Sequence, residues 1–202
     1  MMTFNFRDAS AYVILLTQKP AMYTTQNLID RINQGETLKY IFFWGHQPSK
    51  DNQITNSCFS QWWEAPFNVD GIIYKTAEHW MMAKKAELFN DSGIRDKIIN
   101  SKTPAEAKKL GRKVAGFDQQ KWEDARFGIV VEGNYHKFSQ HPALKLYLVN
   151  TQDRVLVEAS PVDNIWGIGL GKDNALVNNP ETWKGLNLLG FALMEVRDKL
   201  SS

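Results

Sequence analysis

Ile73-Tyr74-Lys75-Thr76-Ala77-Glu78-His79-Trp80-Met81-Met82-Ala83-Lys84-Lys85-Ala86 puts a carboxylate, an imidazole and two ammonium groups on one otherwise apolar helix. Thr76 has the side chain of an N-cap, because its oxygen can accept from an amide two or three residues on. Glu78 then falls in the first turn, where the helix dipole favours negative charge. At about 100° per residue, Glu78, Met81, Met82, Lys85 and Phe89 form one stripe. The stripe is mostly apolar, so it is expected to face the interior and to carry an acid and a lysine inward with it. Buried charges are uncommon unless paired or functional. The structural alternative is that Glu78 only complements the dipole and Lys85 extends its ammonium to water.

Outward from this helix the elements are mixed. Upstream, Leu38–Trp44 is β-branched and aromatic and ends at Gly45. Asn68-Val69-Asp70-Gly71 reads as a turn, and Ile72-Ile73-Tyr74 as a short strand entering the helix. Downstream, Asp91 or Ser92 opens a helix to about Asn100. Thr103-Pro104-Ala105-Glu106 starts another with proline at its first position, and this one is expected to end near Gly116. Asp118 caps a longer helix with Trp122, Arg126, Ile129 and Val130 on one face. Pro142 opens a short helix, Arg154–Ala159 alternates as a strand, and Leu186–Leu200 closes the chain as an amphipathic helix. Regular βαβ alternation is absent. The expectation is an α+β fold, a predominantly helical single domain with short antiparallel strands. Residues 1–36 read as an N-terminal extension packing on a main body of 37–202; they hold an apolar run at Ala11–Leu16, Pro20 and a modest helix near Thr25–Asn33.

Composition narrows the function classes. The chain has 202 residues, enough for one domain with a normal core. A net charge of +2 demands neither nucleic acid nor an anionic membrane. Ala11–Leu16 is too short to span a bilayer and lacks the flanks of a signal peptide. The single cysteine, Cys58, excludes a disulfide framework and fits a reducing, cytoplasmic compartment. The four histidines, at 46, 79, 136 and 141, have no metal-ligand spacing. Seven tryptophans are many for this length, and some are expected to line a pocket for a flat ligand.

The second dense segment is Glu158-Ala159-Ser160-Pro161-Val162-Asp163-Asn164-Ile165-Trp166-Gly167-Ile168-Gly169-Leu170-Gly171. Gly167, Gly169 and Gly171 permit positive φ or close approach of a ligand. Their spacing and setting are not those of a dinucleotide fingerprint. A backbone nest for phosphate, or a tight turn with Trp166 packed into the core, both fit.

Taken in order, several segments form a recognisable set. They are Tyr74-x-Thr76-Ala77-Glu78-His79-Trp80-Met81-Met82-Ala83-x-Lys85-Ala86, then Ser101-x-x-Pro104-x-Glu106-Ala107-Lys108-x-Leu110-Gly111-Arg112 and Trp122-x-x-x-Arg126. Lys137-Phe138-x-Gln140, Glu158-Ala159-Ser160-Pro161-x-Asp163-x-x-Trp166-Gly167-Ile168-Gly169 and Trp183-x-Gly185-x-Asn187-x-Leu189-Gly190 follow. From about Lys39 to Leu200 the chain resembles the YbiA-like N-glycosidases of the NADAR superfamily. The resemblance implies hydrolysis of an N-glycosidic bond, with no metal or cofactor. Its implied substrates are the phosphoribosylamino-pyrimidines early in riboflavin biosynthesis, which yield ribose 5-phosphate and a free pyrimidine. The alternatives are an ADP-ribosyl hydrolase acting on ADP-ribosylated guanine, the one reading that brings in nucleic acid, or a non-catalytic module binding NAD or ADP-ribose.

The resemblance places Glu78 at the acid site, as general base or oxocarbenium stabiliser. Asp163 is the second carboxylate, protonating the leaving amine or binding ribose hydroxyls. Trp122 and Trp166 are expected to stack on the base, with Trp44 a further wall, and Gly167 belongs to the binding loop. Lys85 and Arg126 are expected to hold phosphate. A runner-up role for Lys85 is a Schiff base with an opened ribose aldehyde. The run Lys97, Lys102, Lys108, Lys109, Arg112 and Lys113 reads as a solvated basic face.

Overall fold

A computed structural model describes residues 23–51 and 53–201. Its elements in chain order are α1 (Thr25–Asn33), β1 (Tyr40–Phe43), β2 (Phe67–Val69), β3 (Ile72–Tyr74), α2 (Ala77–Leu88), α3 (Ser92–Asn100), α4 (Pro104–Gly111), α5 (Gln119–Gln140), α6 (Pro142–Val149), β4 (Val155–Glu158) and α7 (Leu188–Ser201). The fold is α+β. The run Ala11–Leu16 and Pro20 lie outside the described residues. Within α1, Leu28 is fully buried, and Tyr23 just before it donates to Asp198 Oδ2 at 2.6 Å.

Helix α2 is the hub. It packs against α3, α4 and α5, and every residue from Ala77 to Ala83 is buried. Its burial is therefore wider than one stripe, which is why His79 and Trp80 are also inside. Thr76 caps it, accepting from the His79 amide and pairing with Nδ1 of His79 at 2.8 Å. The Trp80 indole donates to the Ile129 carbonyl at 2.8 Å, which ties α2 to α5. Gly111 lets α4 approach closely, since a Cβ there would collide with the Met82 side chain.

Helix starts follow the side chains expected to cap them. Asp91, Thr103 and Asp118 accept from Ile94, Glu106 and Lys121 amides. Helix α4 ends at Gly111, earlier than the expected Gly116. The intervening chain turns inward instead: Val114 is buried and the Ala115 amide donates to Asp91 Oδ2 at 3.0 Å.

The strands form two pairs. β2 and β3 are an antiparallel hairpin turning at Asp70 and Gly71, both with positive φ. β1 and β4 are parallel, from Tyr40 opposite Val155 to Phe43 opposite Glu158. This corrects the expectation of antiparallel strands alone. The reason is the connection, since five helices lie between the two strands and a crossover of that length can return the chain in the same direction. β4 is buried through Val157 and packs on α7, so the carboxyl ends of β1 and β4 open together at one side of the core. Among the described residues no helix is long and apolar enough to cross a membrane.

Candidate active site

Three segments meet at the first turn of α2. The Glu78 amide donates to the Gln61 carbonyl at 3.0 Å, so the loop before β2 holds this turn in place. That loop is held in turn by α5. Asn134 donates to Gln61 Oε1 at 2.8 Å, and the Lys137 ammonium donates to the carbonyls of Cys58 and Ser60 at 2.6 and 2.9 Å. Trp62 follows directly in the same loop.

The Glu78 side chain is only 3% exposed and its Oε1 has no hydrogen-bond partner. Burial pushes its pKa up to about 7; Lys108, a hydrogen bond from Trp62 and Arg112 pull the other way, and Asp163 adds to the rise. Glu158 ends β4, where its amide donates to Asn187 Oδ1 at 3.0 Å. Its Oε2 is also buried without a partner. Burial first, then Asp163 and Glu78, raise it to about 8 against the pull of Lys108. Asp163 lies in the loop after β4, and its Oδ1 accepts from the Ile165 and Trp166 amides at 2.9 and 2.8 Å. Glu78, Glu158 and Asp163 thus form one carboxyl cluster under the influence of Lys108 on α4 and Arg112 just after it.

The expected site residues divide. Glu78 and Asp163 are brought together, and the Asp163 turn fixes the backbone of Trp166, which is half-buried. Gly167 is buried for a packing reason, since a Cβ there would lie 2.8 Å from the Glu158 carbonyl. Lys85 lies elsewhere on α2, about 10 Å along the axis from Glu78 at 1.5 Å per residue. Its ammonium sits over the rings of Phe117 and Trp122, at 4.3 and 5.5 Å, and its pKa is lowered by burial. Trp122 and Arg126 are both buried on α5, and Arg126 approaches Glu123 at 3.8 Å. Trp44 follows β1 and is 60% exposed.

Four participants escaped the sequence reading. Glu158 was visible as the acid closing an alternating strand, but nothing in the chain tells which sheet end it reaches. Lys108 and Arg112 belong to the run read as a solvated face, yet both act on Glu78. Trp62 was one aromatic among several. Beside the carboxyl cluster is a cavity of about 630 Å³ lined by Trp62, Trp63, His46, Lys75, Lys102 and the cap of α2. The carboxyls do not line it; Trp62 is the wall it shares with Glu78.

A family model for the NADAR domain matches residues 42–201. N-glycosidase R617 of Acanthamoeba polyphaga mimivirus is 44% identical over 170 residues, 81% of this chain and 98% of that protein. N-glycosidase YbiA of Escherichia coli (strain K12) is 32% identical over 145 residues, 72% of this chain and 80% of that one. The NMR structure of E. coli YbiA superposes with a TM-score of 0.65 at 28% identity, covering 82% of this chain and 87% of the other.

Proposed function

We infer that this chain, which belongs to the NADAR domain family and is an N-glycosidase, hydrolyses phosphoribosylamino-pyrimidines of riboflavin biosynthesis to ribose 5-phosphate and the free pyrimidine. The observation that carries this reading is the buried, unpartnered Oε1 of Glu78 within a carboxyl cluster. Breaking a ribosyl C–N bond builds positive charge at the anomeric carbon, and a fixed carboxylate in a water-poor site stabilises it strongly. With a pKa near 7, Glu78 is partly ionised at neutral pH and basic enough to take a proton from the attacking water. Asp163 has one oxygen occupied by two amides, so we assign it to the ribose hydroxyls. Trp166 and Trp122 are assigned to the flat base, with Trp44 at the rim. Lys85 and Arg126 are assigned to phosphate. The roughly 10 Å between Glu78 and Lys85 suits a substrate laid along α2 with its sugar at the acid end.

The test is incubation with a phosphoribosylamino-pyrimidine and, separately, with ADP-ribosylated guanosine, following the freed base. Glu78→Gln is expected to lower kcat by ~10²–10⁴-fold on the substrate that is cleaved. Near-normal turnover by the variant refutes the role of Glu78, and no cleavage of either compound favours a binding module. One observation favours a second role for Lys85: burial lowers its pKa between two aromatic rings, which suits an amine nucleophile. Borohydride during turnover then yields a covalent ribosyl adduct at Lys85. An adduct-free active enzyme leaves Lys85 as a phosphate ligand.

A further inference from the structure

Glu158 ends strand β4 with Oε2 buried and unpartnered, and it shares its surroundings with Glu78, whose side chain is 3% exposed and whose Oε1 is also unpartnered. Two buried carboxyl oxygens without donors are costly in a finished interior, unless a ligand or a shared proton satisfies them. Lys108 on α4 acts on both acids, Arg112 at the C-cap of α4 and the Trp62 indole act on Glu78, and Asp163 on the loop after β4 acts on both. Lys108 is the cation that acts on both acids, and Glu78 itself adds to the rise at Glu158, which favours a single negative charge in the pair, with the second carboxyl keeping its proton. Asp163 Oδ1 already accepts from two amides. Glu158 has no side-chain donor on Oε2.

We propose that Glu158 is a further catalytic residue, the proton donor to the nitrogen that leaves the ribosyl carbon. The proposal rests on the N-glycosidase reading above. In the step, the C1′–N bond breaks and its electron pair goes to the nitrogen, which takes the Glu158 proton. Water adds its oxygen to C1′ and gives a proton to Glu78. The pair ends with its proton moved from Glu158 to Glu78, and exchange between the two or with solvent resets it. The raised position of Glu158, about 8, keeps it protonated through neutral pH, while Glu78, about 7, is the first of the two to ionise.

Two measurements test this. Glu158→Gln is compared with wild type on a phosphoribosylamino-pyrimidine and on a ribosyl 5-phosphate bearing 4-nitrophenolate, which departs without a proton. The expected loss in kcat is ~10²–10⁴-fold on the first and under ~10-fold on the second, with Glu158→Asp recovering part of the first. Equal losses on both substrates overturn the donor role. The second measurement is infrared spectroscopy of the unliganded protein. A protonated-carboxyl band at pH 7 that titrates away above about 8 and is absent from folded Glu158→Gln supports the proposal. An active wild type without that band overturns the role of Glu158 alone. A wild type inert on both substrates overturns the glycosidase reading and the donor role with it, whatever the band shows.

Discussion

Lys137 and Glu78 are both buried ionisable side chains, and they are treated in opposite ways. The Lys137 ammonium is fully enclosed and donates to two carbonyls, of Cys58 and Ser60. Burial lowers its pKa to about 8. Glu78 is as deeply enclosed, yet one of its oxygens has no donor, and Glu158 beside it repeats the pattern. A satisfied buried charge fixes a loop. An unsatisfied one is costly unless a ligand or a shared proton satisfies it. The two are linked, because the loop that Lys137 holds is the one whose Gln61 carbonyl anchors the Glu78 amide and which carries Trp62. The structural lysine thereby sets the position of the buried acid.

The comparison breaks most visibly at Lys137. Lys137→Met is expected to destabilise the fold by about 3–4 kcal/mol, because the inward carbonyls of Cys58 and Ser60 lose a charged donor and Ser60 keeps only the Trp63 amide. Urea unfolding monitored by tryptophan fluorescence gives the value, and a change below ~1 kcal/mol would mean that Lys137 is not structural.

Glu78→Gln is expected to do the reverse to stability. The folded-state pKa of Glu78 is raised, so the native chain binds more protons than the unfolded one between roughly pH 4.5 and 7. Wild-type stability therefore falls as pH rises through that window, and the burial penalty is complete above it. The variant is expected to lack the Glu78 share of this fall, keeping that of Glu158, and to exceed wild type by about 2–3 kcal/mol at pH 8. Parallel unfolding curves of the two proteins from pH 5 to 8 would contradict the buried-acid assignment.

A smaller perturbation sharpens the picture. Trp62→Phe keeps the ring and removes the indole donor, so Glu78 loses one of the influences that hold its pKa down. The acid limb of the kcat/KM profile is expected to move up by roughly half a pH unit. An unmoved limb means that Trp62 serves the site as a wall only.

Legibility followed the range of the interactions. The caps at Thr76, Asp91, Thr103 and Asp118 and the turn at Asp70-Gly71 are local, and each was readable from a few residues. The inward direction of Glu78 followed from helical period. The burial of Lys137 did not, since a lysine on a long helix normally reaches water and only the facing carbonyls of a distant loop explain its place. Lys108 and Arg112 read as part of a solvated face because the acids they answer lie in other segments. The parallel pairing of β1 with β4 was also outside local reach, and with it the position of Glu158 beside Glu78.

That pairing also sets an order of events. Tyr40 and Val155 are more than a hundred residues apart in the chain, and Glu158 takes its place only when the last register pair closes. Contacts of such long separation cost the most chain entropy and form late in folding. The helices around α2 are joined by short connections and are expected to assemble first. A chain still emerging in synthesis can therefore bury Glu78 before Glu158 exists to face it, and the proposed proton-transfer pair is complete only with the final third of the sequence.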